Sequence, residues 1–279
     1  IIEQLSFHSP GCAVVGGIAA DNGAFCSAYL LIEDELKTDG VVCAFVYGEQ
    51  LNFAINSYQG WRPIGKKFVV TKAQGNHVYE LDNRPIIDVY KEYIGEHAAI
   101  QFPRNVVEFP LMLRQGSRSI LRAPIAFTDC QQGIKYAGAL KEGQQVSFSF
   151  ADVSAVLASA PEFKAQAGVF TLVYSCAARR LFLKGRITEE VERLSKHTGA
   201  AGGFFYGEFS TVDKRPKLLN LSTTVLQLSE SCKTFEASRK SAPQQSLPNS
   251  TQSLANLASK KQAWNTKRCC SRYNSINTR

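Results

Sequence analysis

The chain has 279 residues, 44% of them apolar, and a formal net charge of +8. That length provides one or two domains with a sizeable core. The charge is concentrated at one end: residues 230–279 hold 9 Lys/Arg and 2 Asp/Glu, leaving 23 basic and 22 acidic side chains in the rest, which argues against a nucleic-acid-binding body.

The first 80 residues read as successive strands: "CAVVGGIA", "FCSAYLLIED", "GVVCAFVYG", "LNFAINSY" and "KKFVVTKAQ". Turn signals at Asp39-Gly40 and Gln59-Gly60 separate them, and Gly75-Asn76 reads as a hairpin tip. The chain opens at Ile1 inside this pattern, which predicts an N-terminal domain without its first half. A helix follows, with Asn83 as cap, Pro85 in its first turn, an apolar face of Ile86, Val89, Tyr90, Tyr93 and Ile94, and Gly95 as its stop. "SILRAPIAF", "IKYAGAL" and "QQVSFSFAD" are strand-like, and "VSAVLASAPEFKAQ" reads as a helix interrupted near Pro161. "GVFTLVYSC" is a nearly continuous apolar run, as in a strand covered on both faces. "ITEEVERLSKHTG" is an amphipathic helix with Thr188 as N-cap and glutamates in its first turn. "GGFFYGEFS" and "LNLSTTVLQLS" read as closing strands. Beyond Glu230 the sequence is rich in Ser, Asn, Gln and Lys without a sustained period, and predicts a disordered tail or a severed linker.

These elements predict an α/β (α+β) chain: two strand-rich subdomains with mixed sheets covered by helices, residues 1–81 and 82–229, the first truncated, and a basic tail over 230–279. No apolar run approaches the roughly 18 residues of a membrane span, and no signal peptide opens the chain. The eight cysteines (Cys12, Cys26, Cys43, Cys130, Cys176, Cys232, Cys269 and Cys270) form no Cys-x-x-Cys pair. Zinc and redox sites need closely spaced ligands, so the expectation is reduced, buried thiols in a cytoplasmic protein, with no metal site.

The chemistry concentrates in "VYSCAARR" and "AGGFFYGEFS". Cys176 beside two arginines is either an activated thiol, which requires a nearby base such as histidine, or a structural residue at a strand end. Arg179 and Arg180 after a buried strand suit bidentate binding of a carboxylate or phosphate. Gly202, Gly203 and Gly207 in a strand point to a bulge or a close backbone approach, and Glu208 follows directly. An arginine and Glu208 would supply the cation and anion that a zwitterion such as a free amino acid needs; an internal Arg–Glu salt bridge explains the same residues. "GGIAADNG" lacks the lysine and spacing of a phosphate loop, and "GWRPIGKKFVVT" places Trp61, Arg62, Pro63 and Gly65 in a turn before a strand.

Together "YSCAARR", "ITEEVERL", "GGFFYGEFS" and "LNLSTTVLQL" resemble the C-terminal domain of the FIST family of sensory domains (F-box and intracellular signal transduction). That domain shows a Cys-x-x-Arg-like strand end, a helix, a Gly-Phe-Tyr-x-Gly-Glu strand, and a final strand after an Asn-x-x-Thr-like turn. "LDNRPIIDVYKEYIG" resembles its start, and "GWRPIGKKFVVTKAQGNHVYEL" the end of the N-terminal FIST domain. The resemblance implies a non-enzymatic, bacterial, cytoplasmic sensory module that binds a small ligand, with amino acids a proposed class. Its implied outputs are histidine kinases of two-component signalling, diguanylate cyclases or chemoreceptors. Candidate ligand-binding residues are Arg179, Arg180, Gly203, Tyr206, Glu208 and Cys176, with no cofactor, no nucleic acid and no membrane expected. Two alternatives stand beside this reading: a haem-binding nitric-oxide sensor with His77 as axial ligand, and a thiol enzyme using Cys176.

Overall fold

The computed structural model describes residues 11–95, 108–128, 132–160, 168–195 and 200–230. The first part comprises β1 (Gly16–Gly17), β2 (Leu30–Ile32), β3 (Glu35–Lys37), β4 (Leu51–Tyr58), β5 (Arg62–Gln74), β6 (His77–Leu81), β7 (Arg84–Pro85) and helix α1 (Ile86–Ile94). Next come β8 (Leu111–Gln115), β9 (Arg118–Arg122), β10 (Pro124–Phe127), β11 (Ile134–Tyr136), β12 (Gln145–Phe150) and α2 (Val153–Ala158). The last part holds β13 (Val169–Cys176), α3 (Ala177–Leu183), a 3-10 turn (Lys184–Arg186) and α4 (Ile187–Ser195). It ends with β14 (Ala200–Phe205), β15 (Glu208–Val212), β16 (Arg215–Leu219) and β17 (Thr223–Glu230).

Strand-rich mixed sheets with few helices make this an α+β fold, as the sequence predicts. One sheet runs β14-β13-β17-β4. β13 and β14 are parallel, which requires a crossover, and α3 and α4 supply it. β17 pairs antiparallel with both β13 and β4, Thr223 standing opposite Ser175 on one side and Tyr58 on the other. The larger, antiparallel sheet runs β10-β11-β6-β5-β12-β8-β9, with β7 on β6. β1, β15 and β16 form a third sheet, and β2 and β3 a hairpin. The segment Tyr58–Arg62 therefore links the two main sheets, since β4 ends one and β5 lies within the other.

The larger core gathers Ile86, Val89 and Tyr90 of α1 with Phe68, Val146 and Phe148 of β5 and β12. Full burial of each such side chain stabilises the fold by roughly 1.5–3 kcal/mol. Phe148 meets Tyr90 edge-on and stacks on Tyr93, with centroids 4.7 and 4.5 Å away. The Tyr136 hydroxyl donates to that of Tyr90 (3.0 Å), which donates to the Phe109 carbonyl (3.3 Å). Burial pushes both phenols well up from their ordinary pKa. Tyr136→Phe removes the first of these bonds and is expected to lower stability by about 1 kcal/mol in urea denaturation; an unchanged midpoint would show that the pair contributes nothing.

Several local expectations are corrected by tertiary geometry. Asn83 does not cap α1: Asp82 and Asn83 have φ of 50° and 59° and turn β6 back onto β7, positive values at both central positions being what such hairpins need. The helix begins after Pro85 and ends where Gly95 (φ 84°) returns its N–H to the Lys91 carbonyl. Thr188 lies inside α4 and donates to the Gly185 carbonyl instead of opening the helix. Asp152 caps α2 by accepting from Ala155 N–H at 2.8 Å; residues from Pro161 onward lie outside the described part. "GVVCAFVYG" forms no ladder, because no described strand meets its backbone groups, and Phe45, Val46 and Tyr47 are exposed. Cys12, Cys26 and Cys43 are exposed as well, against the expectation of burial, while Cys176 is buried; all four are free thiols. Cys130, Cys232, Cys269, Cys270 and the tail after Glu230 lie outside the described residues. Among those described, no helix is long and apolar enough to cross a membrane.

Candidate functional site

β13 ends at Cys176, whose backbone is still extended (φ −68°, ψ 132°), and α3 begins at the next residue. Alanine, arginine and leucine are strong helix formers, and the helical turn sends the two arginines to opposite sides. Arg179 is fully buried. Arg180 is exposed, with its guanidinium 5.6 Å from the centroid of Phe204.

Arg179 meets Glu190 of α4 through two contacts, Nη2 to Oε1 at 2.5 Å and Nε to Oε2 at 3.4 Å. Its Nη1 donates to the carbonyls of Gln59 (2.6 Å) and Leu221 (3.2 Å). The rings of Tyr58 and Trp61 flank the guanidinium, with centroids 5.2 and 6.0 Å away. One side chain thus ties α3 to α4, to the β4–β5 link and to the turn before β17. Its partner is Glu190, not the Glu208 that the sequence offered. The signal for Glu190 was present: it shares a helical stripe with Ile187 and Leu194, where a charge enters the core.

The turn from Leu219 to Thr223 joins β16 to β17 and carries the remaining polar groups. Leu221 is buried at φ 54°, a left-handed conformation that costs a bulky residue on the order of 1–3 kcal/mol and clusters at functional sites. Next to it, Ser222 accepts the Cys176 N–H at its carbonyl (3.0 Å) and donates its hydroxyl to Glu208 Oε2 (2.6 Å). Glu208 starts β15 after Gly207 (φ 147°), where a Cβ would stand 2.9 Å from Leu218 Cδ1 and 3.2 Å from the Leu219 carbonyl oxygen. The predicted single strand "GGFFYGEFS" breaks there, because β14 and β15 belong to different sheets.

Among the described residues, four buried side-chain polar atoms lack a hydrogen-bond partner of good geometry: Tyr58 Oη, Trp61 Nε1, Glu208 Oε1 and Asn220 Oδ1. All four belong to this hub. Native cores leave few such groups, and each calls for water, an ion or a ligand.

Burial pushes the Glu208 carboxyl from its ordinary 4.5 up to about 8, against the hydrogen bonds of Ser222 and Cys176 and the charge of Arg179. Burial thus shifts Glu208 toward its neutral form, which has a donor and acceptors to offer, and a cation brought against it would draw its proton off. Burial, with the nearby Glu208, also pushes the Cys176 thiol far up, the reverse of what activates a nucleophile. The sign for stability follows: the folded state binds more protons than the unfolded one between about 4.5 and 8, so stability falls as pH rises through that window. Melting curves from pH 5 to 9 should show wild type losing ground to Glu208→Gln as pH rises; parallel curves would show a carboxyl titrating normally.

The other predicted residues lie apart from the hub. Tyr206 holds the Asp21–Ser27 loop: its hydroxyl donates to the Asp21 carboxylate and accepts Gly23 N–H (2.6 Å), and Phe25 stacks on its ring at 4.4 Å. The same carboxylate accepts the backbone N–H groups of Phe25, Cys26 and Ser27, so Asp21 orders the loop. His77 stands half-buried in the β6 ladder opposite Gln74 and Lys135, outside the hub; His8, His97 and His197 are not among the described residues. No described group of three or more His, Cys, Asp or Glu side chains could hold a metal ion. Gly203 lines a cavity of about 180 Å³ between α4 and the β13–β14 pair, into which Glu190 and Ser175 also face.

The four stretches that carry the C-terminal resemblance thus meet physically, through Arg179, Glu190, Glu208 and the Asn220–Thr223 turn. A model of the FIST N domain matches residues 1–84, and one of the FIST C domain matches residues 87–211. The chain belongs to the FIST family. FIST domains are associated with sensory signal transduction. In this FIST chain the hub draws Tyr58, Gln59 and Trp61 from the N-domain match and the arginine and both glutamates from the C-domain match. Among curated proteins, it is similar to an uncharacterized protein of Methanocaldococcus jannaschii, 33% identical over 96 residues, covering 34% of this chain and 18% of that one. Uncharacterized proteins of Mycobacterium tuberculosis and Mycobacterium bovis are 31% and 32% identical over 94 residues, covering 34% of this chain and 24% of theirs. The FIST chain therefore matches about a quarter or less of each relative's length. No solved structure matches it.

Proposed function

We propose that this chain is the ligand-binding part of a cytoplasmic sensory protein, with a small polar molecule, an amino acid in the first instance, as its ligand. The signalling output is of the histidine kinase, diguanylate cyclase or chemoreceptor kind. The observation that carries the reading is the gathering of every unpartnered buried polar atom of the described chain around Arg179 and the Leu219–Thr223 turn. Trp61 Nε1 can only donate, Asn220 Oδ1 can only accept, and Tyr58 and neutral Glu208 can do either. A molecule that both donates and accepts satisfies this set, and a free amino acid carries both kinds of group. The FIST match, with its sensory association, gives the reading its biological frame. The hub also spans both domain matches, so a ligand there acts on the link between the two main sheets.

A thermal-shift screen against the amino acids, run with and without haem, tests this, since a ligand bound only by the folded state raises the melting temperature. Tyr58→Phe and Glu208→Gln should melt within a few degrees of wild type at pH 6, because the first removes a hydroxyl without a hydrogen-bond partner of good geometry and the second puts a neutral isostere in place of a protonated carboxyl. Both should lose most of the shift produced by the cognate amino acid. The reading fails if no amino acid shifts the protein, or if both variants respond as wild type does.

A further inference from the structure

The hub's polar atoms ask for a polar head, and the adjoining cavity supplies a different chemistry. α4 is the crossover helix over the parallel pair β13–β14, and the cavity opens between them, about 180 Å³ in volume. This is smaller than a drug-sized pocket. Apart from Phe204 its apolar walls are aliphatic or small, including Val173, Ile187, Leu194 and Ala201. Two polar side chains face it, Ser175 and Glu190, both buried. Glu190 is held by Arg179 and, at 3.4 Å, by the Thr223 hydroxyl, and the Ser175 and Thr223 hydroxyls are hydrogen-bonded to each other at 3.1 Å.

A buried carboxylate already matched by one guanidinium still presents acceptor lone pairs, but has no free positive charge to offer an anion. The cavity accordingly favours a compact aliphatic body bearing a hydrogen-bond donor and disfavours a carboxylate pointing inward. We infer that the cavity between α4 and β13–β14 is the seat of the ligand's apolar portion, and that it selects short branched aliphatic compounds whose inward polar group donates to Glu190 or Ser175. This rests on the reading of the chain as a small-ligand sensor, and adds the ligand class to it. Glu190 joins the two regions: the residue lining the cavity is the one that pairs with Arg179, which in turn reaches the Gln59 carbonyl at the β4–β5 link.

The test uses three probes with the same isobutyl body, namely isobutylamine, isobutanol and isovalerate, titrated into the full chain by ligand-observed NMR. Isobutylamine and isobutanol should bind saturably, and isovalerate at least tenfold more weakly. Ala201→Leu places an isopropyl group in the cavity from an exposed position, and should weaken the first two probes at least tenfold while leaving the melting temperature near wild type. Val191→Phe on the exposed side of α4 is the second blocking variant should the first melt early. Equal binding by wild type and the blocked variants would overturn the assignment of the seat. Equal binding of isovalerate would overturn the head-group chemistry. Absence of binding by every probe would overturn the inference as a whole, while a thermal shift by an amino acid would still uphold the hub as a ligand site.

Discussion

Arg179→Ala is expected to destabilise the protein by about 3–5 kcal/mol in urea denaturation, among the largest effects of any single change in the hub. The guanidinium is wholly buried, and its removal leaves the Glu190 carboxylate equally buried and without a cation. Two backbone carbonyls, at Gln59 and Leu221, lose a donor in the same step. Desolvating a charge is expensive, and the pair offsets that expense only while both members are present. The double variant Arg179→Met with Glu190→Leu removes both charges and keeps apolar volume, so it should recover much of the loss. Arg180→Ala should stay within about 0.5 kcal/mol of wild type, since its side chain is exposed and meets only a ring face. A loss below about 1 kcal/mol for Arg179→Ala would mean that water reaches Glu190 and that the hub is wet.

Gly202→Ala is expected to destabilise by about 3 kcal/mol or more, because overpacking against fixed backbone cannot relax through a side chain. A Cβ at this position would stand 2.2 Å from the carbonyl oxygen of Val173 and 2.8 Å from its Cβ. Gly202 and Val173 are register partners in the one parallel pairing of this sheet, so the clash pries β13 from β14 and disturbs the cavity wall. The neighbouring glycine is the control. At Gly203 a Cβ meets only the Phe205 ring, at 3.7 Å, and Gly203→Ala should be neutral within about 0.5 kcal/mol. Similar melting temperatures for the two variants would show that the β13–β14 pair has room for a Cβ at Gly202.

The two glycines illustrate how far the sequence carried. Glycine inside an apolar strand already marked a close approach, since it is otherwise unfavourable there, but the strand pattern did not say which of the two was obligatory. Strand alternation likewise did not separate Arg179 from Arg180: a helix starting directly after Cys176 decided that, by turning successive residues to different sides. Glu208 was legible as a candidate position from the Gly-Glu step after a glycine-rich strand. Its raised pKa was not, because a pKa depends on what surrounds the carboxyl and not on its neighbours in the chain.

By itself the sequence determined the α+β class, the amphipathic helices α1 and α4, most strands from residue 51 onward and the FIST kinship, because these follow from local periodicity and short motifs. Only the tertiary structure decided that Arg179 pairs with Glu190, that Gln59 and the Leu219–Thr223 turn meet the same guanidinium, and that Tyr206 serves the Asp21 loop. Each of these contacts joins residues far apart along the chain or on separate elements, up to 185 positions for Tyr206 and Asp21. No local pattern encodes such a meeting: it arises when β17 pairs with β4 and β13 at once and β1 pairs with β15, and burial then obliges every charge brought inside to find a partner.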